Sequence, residues 1–261
     1  MNQMTPLSLG VLVVGSEVSL APAALIVHYR LDDDGTGGLS NVNSGSATHT
    51  WNSSAGATLT TGKFGGAGRF LTSSAWWSIS ATGADLSNFT LSMHVRENTG
   101  VANFLNWQDF VSVGDGNLSV FKFEYNGAHQ GASVYTTGTP GGGTATIGGA
   151  SGPNVNGGAW HHLAMVSNGI TLELFVDGIS QGSAAYTGSG PITALQIAAQ
   201  FGGGRDQNVD VDDLALYDLA LAPDQVTWLT INEATANPIP KPFTGSLLGV
   251  GALVFLGRRR K

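Results

Sequence analysis

The chain has 261 residues, 38 of them glycine and none cysteine, and carries 11 basic against 18 acidic side chains. With 42% hydrophobic and only 11% charged residues, it is neither a disordered chain nor a disulfide-stapled scaffold. Between residues 25 and 240 six basic residues face every acidic residue but Glu17, seventeen in all and a net −11, so the basic footprint that nucleic-acid phosphates demand is missing.

The chain opens on an expected export leader over 1–24. Leu7 to Val14 is mostly apolar, and Ala21-Pro22-Ala23 supplies a small-x-small cleavage pattern. The positive n-region is absent and Glu17 interrupts the apolar run; the alternative is a first strand of the domain.

Short β-branched and aromatic runs predict strands at 25–31, 66–71, 76–80, 88–95, 109–113, 118–125 and 131–136. Glycine stands at roughly twice its usual share of about 7%, scattered in GG, NG and DG pairs that read as tight turns. Asp32, Asp33 and Asp34 follow the first strand. Trp51, Trp76, Trp77 and Trp107 are the indoles of interest. Trp76 and Trp77 are adjacent on one strand and face opposite ways, so one is core and the other is the candidate ligand contact, able to stack on a sugar ring. A partly buried rim residue is the plainer alternative.

Trp160 to Ala184 is the most readable stretch. Ile170, Leu172, Leu174 and Val176 alternate with Thr171, Glu173, Phe175 and Asp177, which predicts a half-buried strand with the first four facing inward. Asn168-Gly169 and Asp177-Gly178 bracket it with the dipeptides that supply positive φ to hairpin turns. Three antiparallel strands are therefore expected, at 160–167, 170–177 and 179–185. Strands at 194–199 and 209–218 follow. Then comes one short helix at 223–230, with Pro223 at its first position and Asp224 at the positive end of its dipole. So many short strands between turn signals predict one all-β, antiparallel two-sheet sandwich over 25–232.

The chemistry-bearing residues are few. Asp206, Asn208, Asp210 and Asp212 recur at every second position, so an extended segment places them on one face. Asp32, Asp34, Asp206, Asp210 and Asp212 are the candidate ligands of a structural Ca²⁺, which takes six to eight oxygens; solvated acidic turns are the alternative. Glycoside hydrolysis needs two carboxylates about 5–9.5 Å apart. Glu97, Glu124 and Glu173 sit in separate strands, and no catalytic residue is assigned. His161 and His162 point to opposite faces of a strand, so one ring is expected to pack rather than serve a metal or act as a base. Gly65-Gly66 and Gly202-Gly203-Gly204 open no helix of a βαβ unit and are turns.

The end of the chain is a Pro-rich linker over 233–242, then a short hydrophobic helix with a basic end over 243–261. Phe243 to Gly257 is apolar, and Arg258, Arg259, Arg260 and Lys261 close the chain. As a helix this run spans roughly 22 Å at about 1.5 Å per residue, short of the ~30 Å hydrocarbon core. It is a marginal anchor whose basic end stays cytoplasmic.

Two resemblances follow from these residues. Trp160-His161, the hairpin ending in Val176-Asp177-Gly178, Asp212-Asp213-Leu214 and the stretch from Leu221 to Leu229 resemble the LamG-like, concanavalin A-like jelly-roll family, and the likeness covers most of 25–232. It implies a jelly roll with first and last strands side by side, which would bring Asp32 and Asp34 to Asp212. It is silent on function, since this fold hosts lectins, glycosidases, adhesion modules and plain structural domains. The tail resembles the PEP-CTERM sorting signal of Gram-negative bacteria, with Lys241 where that signal has Glu. This implies an exosortase-type processing enzyme, transient inner-membrane anchoring, and delivery to the cell surface or extracellular matrix. The expectation is an exported, non-catalytic binding or structural module whose partner is a polysaccharide or matrix polymer. The alternative is a glycan-processing enzyme on the same fold with a non-standard site.

Overall fold

A computed structural model describes residues 24–46, 51–53, 56–71, 77–79, 84–98, 100, 103–114, 119–126, 131–137, 144–148, 153–188, 190–200 and 204–234. Most of the expected leader and nearly all of the linker and tail lie outside them, as does Trp76. In chain order the strands are β1 (Leu25–Tyr29), β2 (Trp51–Ser53), β3 (Thr58–Thr61), β4 (Gly66–Phe70) and β5 (Trp77–Ile79). Next come β6 (Phe89–Arg96), β7 (Asp109–Gly114), β8 (Ser119–Asn126), β9 (Gly131–Thr136) and β10 (Ala145–Gly148). The last are β11 (Trp160–Ser167), β12 (Thr171–Val176), β13 (Ile179–Ala185), β14 (Ala194–Ile197) and β15 (Val209–Tyr217), before the helix α1 (Pro223–Leu229).

The strands form two antiparallel sheets. The larger has the order β13-β12-β11-β6-β15-β4-β3, with β1 also on β15; the smaller has the order β10-β9-β8-β7-β14-β5-β2. First and last strands do lie side by side, Tyr29 opposite Leu214. The long β15 takes β4 along Val209–Val211 and β1 along Leu214–Tyr217. Between them the ladder to β6 is irregular from Asp212 to Ala215, where Asp213 has φ +51°.

Alternation explains the core. Leu91, Met93 and Val95 of β6, with Leu163 and Met165 of β11, meet Val111, Val113, Phe123, Val134, Leu195 and Ile197 of the smaller sheet. Each such side chain contributes about 1.5–3 kcal/mol when withdrawn from water. Leu172, Leu174 and Val176 face inward as the alternation predicts, but Ile170 is 75% exposed. It sits in the Asn168-Gly169 turn, where the Asn168 side chain accepts the Ile170 and Thr171 N–H groups, and the strand begins one residue later. The other face of β12 is partly exposed at Thr171 and Glu173 and closed at Phe175. Phe175 joins Ala164, Val166, Ala215 and Tyr217 in a second cluster closed by Leu221, Val226 and Leu229. Helix α1 therefore lies on the outer face of the larger sheet. Its start is held by the Gln225 side chain, which accepts the Ala222 N–H at 2.9 Å, with Pro223 in the first turn. Among the described residues no helix is long and apolar enough to cross a membrane.

Candidate functional site

A sandwich offers two outer faces, and here one is taken. Beside α1, the segment 62–66 folds over the larger sheet, with the Phe64 N–H donated to Asp212 Oδ2 at 2.8 Å. Beneath it Asp212, His94 and His162 stand in register on three adjacent strands, each about 1% exposed. Phe64 meets His94 edge-on, and the His94 and His162 rings lie 4.9 Å apart. Burial drives the His162 pKa down to about 3 and lowers that of His94. Burial likewise raises the Asp212 carboxyl to about 7, opposed by the backbone donor of Phe64 and aided by the charge of Asp213. His162 packs against Ser92 Oγ at 2.8 Å, while His161 pairs with Asp177 at 2.8 Å on the other side. The expected split of the two histidines holds.

On the smaller sheet the strand pairing lines polar positions up across the strands. Cα pairing runs through all seven strands from Asn52 to Ser78, Gln196, Ser112, Lys122, Tyr135 and Thr146. A second row runs Asp109, Glu124, Ser133, Gly148. Their neighbours Val111, Val113, Leu195 and Ile197 are core, so Ser112 and Gln196 face out by alternation. Ser112 and Gln196 are buried, Ser112 donating to Ala199 O at 2.8 Å, whereas Tyr135 is half-buried and Thr146 exposed. The face is roofed at its centre and open towards β10.

The second row ends in a charged cluster. Asp109 and Glu124 are opposite one another and buried. Arg205 Nη1 lies 3.2 Å from Glu124 Oε2 and 4.0 Å from Asp109 Oδ1. The same Nη1 donates to Trp107 O at 3.0 Å, and the Trp107 N–H donates to Tyr125 O at 2.7 Å. Trp107 is 41% exposed. Gln207, wholly buried, fixes this corner: its Oε1 accepts the Leu105 N–H at 2.6 Å and its Nε2 donates to Leu105 O at 3.0 Å. None of this cluster stands out in sequence, because its members come from separate segments and only the register unites them. Trp107 is one indole among several there.

The residues singled out from sequence are placed as follows. Trp77 lies in β5 opposite Ile197. Asp210 is fully buried and held by Arg69 Nε at 2.9 Å, Arg96 Nη2 at 2.7 Å and Asn98 Nδ2 at 3.2 Å. Asp32 Oδ1 accepts the Gly66 N–H at 2.6 Å, and its Oδ2 pairs with Arg30 at 3.2 Å. Asp32, just past the first strand, and Asp212, in the last, thus grip the same 62–66 segment through hydrogen bonds. Asp34 folds its own turn, accepting from Thr36 and Gly38, which lowers its pKa. Asp206 Oδ1 is buried without a partner. Among the described residues no three of these five bring an oxygen within 4.8 Å of one another; the group that does is His28, Asp213 and Glu233. That group is a clasp of chain ends: His28 Nε2 meets Asp213 Oδ1 at 2.7 Å, Asp213 accepts the Ala234 N–H, and Glu233 pairs with Arg30. An open cleft of roughly 550 Å³ beside Asp32, Asp33 and the Thr60–Thr61 edge lies on the other sheet.

Residues 71–227 match the description of the concanavalin A-like lectin/glucanases superfamily. Domain 4 of AbnA, a GH43 extracellular arabinanase from Geobacillus stearothermophilus, solved in complex with arabinotriose, is similar in fold. It has a TM-score of 0.58 and 18% identity over 80% of this chain and 100% of that one. The binding domain of botulinum neurotoxin serotype D gives 0.60 and 10% over 79% of this chain and 51% of that one. The binding domain of Paraclostridial Mosquitocidal Protein 1 gives 0.59 and 13% over 79% and 52%. This chain thus spans about half the length of the two toxin domains. No curated protein matches it. With well over half its length matched and two antiparallel sheets in place, the chain belongs to the concanavalin A-like lectin/glucanase superfamily.

Proposed function

We propose that this protein is an exported, non-catalytic carbohydrate-binding module of the cell surface or extracellular matrix. One observation carries the reading: the outer face of the smaller sheet is open towards β10, where Tyr135 and Thr146 reach solvent, while α1 and 62–66 cover the other outer face. An aromatic ring and hydroxyls at that edge are what a polyhydroxylated ligand needs for stacking and hydrogen bonding. The arabinotriose complex of the AbnA domain adds support by analogy of fold. The test is retention of the full chain on an array of plant, bacterial and matrix polysaccharides. Binding weakened by Tyr135→Ala is expected, and no retention on any polysaccharide overturns the reading.

The leader over 1–24 and the tail over 243–261 support delivery through the inner membrane with exosortase-type processing. Surface-extracted protein should end near Pro240 by mass spectrometry; an intact Lys261 overturns the processing.

A second reading, a glycoside hydrolase, is favoured by one feature. Asp109 and Glu124 are directly opposed, which sets Cβ atoms about 4.5–5.5 Å apart, near the ~5–5.5 Å carboxyl separation of retaining enzymes. Their burial and shared Arg205 favour a structural role instead. New reducing ends from a bound oligosaccharide, lost in Glu124→Gln, would establish the enzyme.

A further inference from the structure

We infer that Trp107 and Arg205 form a binding subsite for a neutral sugar ring at the β7–β8 end of the polar face. The inference rests on the carbohydrate-binding reading above and names where on that face, and to what class of sugar, affinity is concentrated. Trp107 has φ +59° and Arg205 φ +52°. A bulky residue in the left-handed region is an outlier that the surroundings must enforce. Here two of them are joined to each other, Arg205 Nη1 to Trp107 O, and Arg205 O accepts the Asp109 N–H at 3.0 Å.

The enforcement is visible. Gln207 clamps Leu105 through both backbone groups, and Asn208 Nδ2 donates to Asn103 O at 3.0 Å. Tyr125 holds Trp107 through its carbonyl and donates its N–H to Gln108 O at 3.1 Å. This buried scaffold presents two planar groups to solvent: an indole 41% exposed and a guanidinium side chain 42% exposed. Neither exposure is needed for the core.

An exposed indole face covers the C–H face of a sugar while leaving its hydroxyls at the rim. The guanidinium has five N–H donors, and its bonds to the described residues use Nη1, which leaves Nε and Nη2 to meet ring hydroxyls. Charge selects the class. Arg205 shares this corner with two carboxylates, Asp109 and Glu124, within a span of net −11. A uronate or sulfated sugar meets repulsion there, and a neutral one does not.

The experiment prints neutral arabino-, xylo-, gluco- and manno-oligosaccharides beside oligogalacturonate. The full chain is then compared with Trp107→Ala, Trp107→Phe, Trp107→Gly and Tyr135→Ala. Trp107→Ala should weaken every neutral interaction roughly tenfold or more, and Trp107→Phe should keep most of it. Trp107→Gly should also lose binding but melt above Trp107→Ala, because glycine relieves the left-handed strain that alanine keeps; a merely misfolded variant does not do this. If Tyr135→Ala abolishes binding and the Trp107 variants leave it unchanged, the subsite is wrong and the binding face stands. A preference for oligogalacturonate overturns the neutral class. Retention on no saccharide overturns the functional reading and the subsite together.

Discussion

Asp109 and Glu124 face each other across β7 and β8, and both lie within ion-pair distance of the Arg205 guanidinium, from a loop 81 residues beyond Glu124 in sequence. Like charges directly opposed in a ladder repel, and Arg205 offsets that repulsion at this corner of the smaller sheet. The same cation holds the Trp107 carbonyl. Stability of the sheet end and presentation of the indole are therefore one arrangement.

Arg205→Ala should destabilise the protein by about 2 kcal/mol, less than a fully buried pair because the side chain is partly exposed. Adding Glu124→Gln should recover much of the loss, since one carboxylate no longer needs a partner. A double-mutant cycle by chemical denaturation reads the coupling; strictly additive effects would show that the three charges do not act together.

Asp210 sits between Arg69 and Arg96 with no exposure of its own. Removing one partner of a buried pair leaves the others uncompensated, so Asp210→Ala should cost about 3–5 kcal/mol. The guanidiniums occupy the place a cation would take at this carboxylate. Melting midpoints in EDTA and in millimolar Ca²⁺ should accordingly agree. A calcium-dependent rise of several degrees would instead establish the aspartate site expected from sequence, with Asp210 released from its arginines.

Two buried groups titrate in opposite senses, so stability should stay nearly level between about pH 4 and 6.5. The Asp212 carboxyl, raised to about 7 by burial, stays protonated in the fold while the unfolded chain ionises near 4. The fold then holds more protons, and this group's contribution falls as pH rises from about 4 to 7, by about 4 kcal/mol at most. His162, lowered to about 3 by burial, does the opposite: the unfolded chain takes a proton near 6.5 and the fold does not. Its contribution is lost as pH falls below that. Asp212→Asn should unmask the His162 contribution, so that stability rises with pH from about 4 to 6.5, as read from denaturant midpoints between pH 4 and 9. A profile that stays level in the variant would remove Asp212 from the account.

Gly62→Ala should destabilise the 62–66 segment. A Cβ there meets Gly66 O at 2.0 Å and Asp212 Oδ2 at 2.6 Å, contacts that backbone must move to relieve. A loss of about 2–4 kcal/mol is expected from overpacking and the broken Asp212 bond, visible as a lower melting midpoint. Gly37→Ala, with open space around it but φ +85°, should cost less.

Local pattern was enough for most strands and for the helix. Alternation between turn dipeptides located β11, β12 and β13, and Pro223 located α1, because hairpin register and helix starts are set by neighbours in the chain. It failed where a segment is only three or four residues long with a single large apolar side chain, as in β2, β3 and β10, whose pairing comes from partners already in place. It also missed that Phe175, on the outward side of β12, is covered by a helix some fifty residues on. The sequence by itself determined the class of fold, the family and the inward face of the hairpin. Only tertiary structure decided which outer face stays open, that Asp210 belongs to arginines, and that Trp107, Arg205, Asp109 and Glu124 share one corner. The reason is physical: two-residue periodicity tells which side of a strand is buried, but cross-strand register sets which distant residues meet there, and no local pattern encodes it.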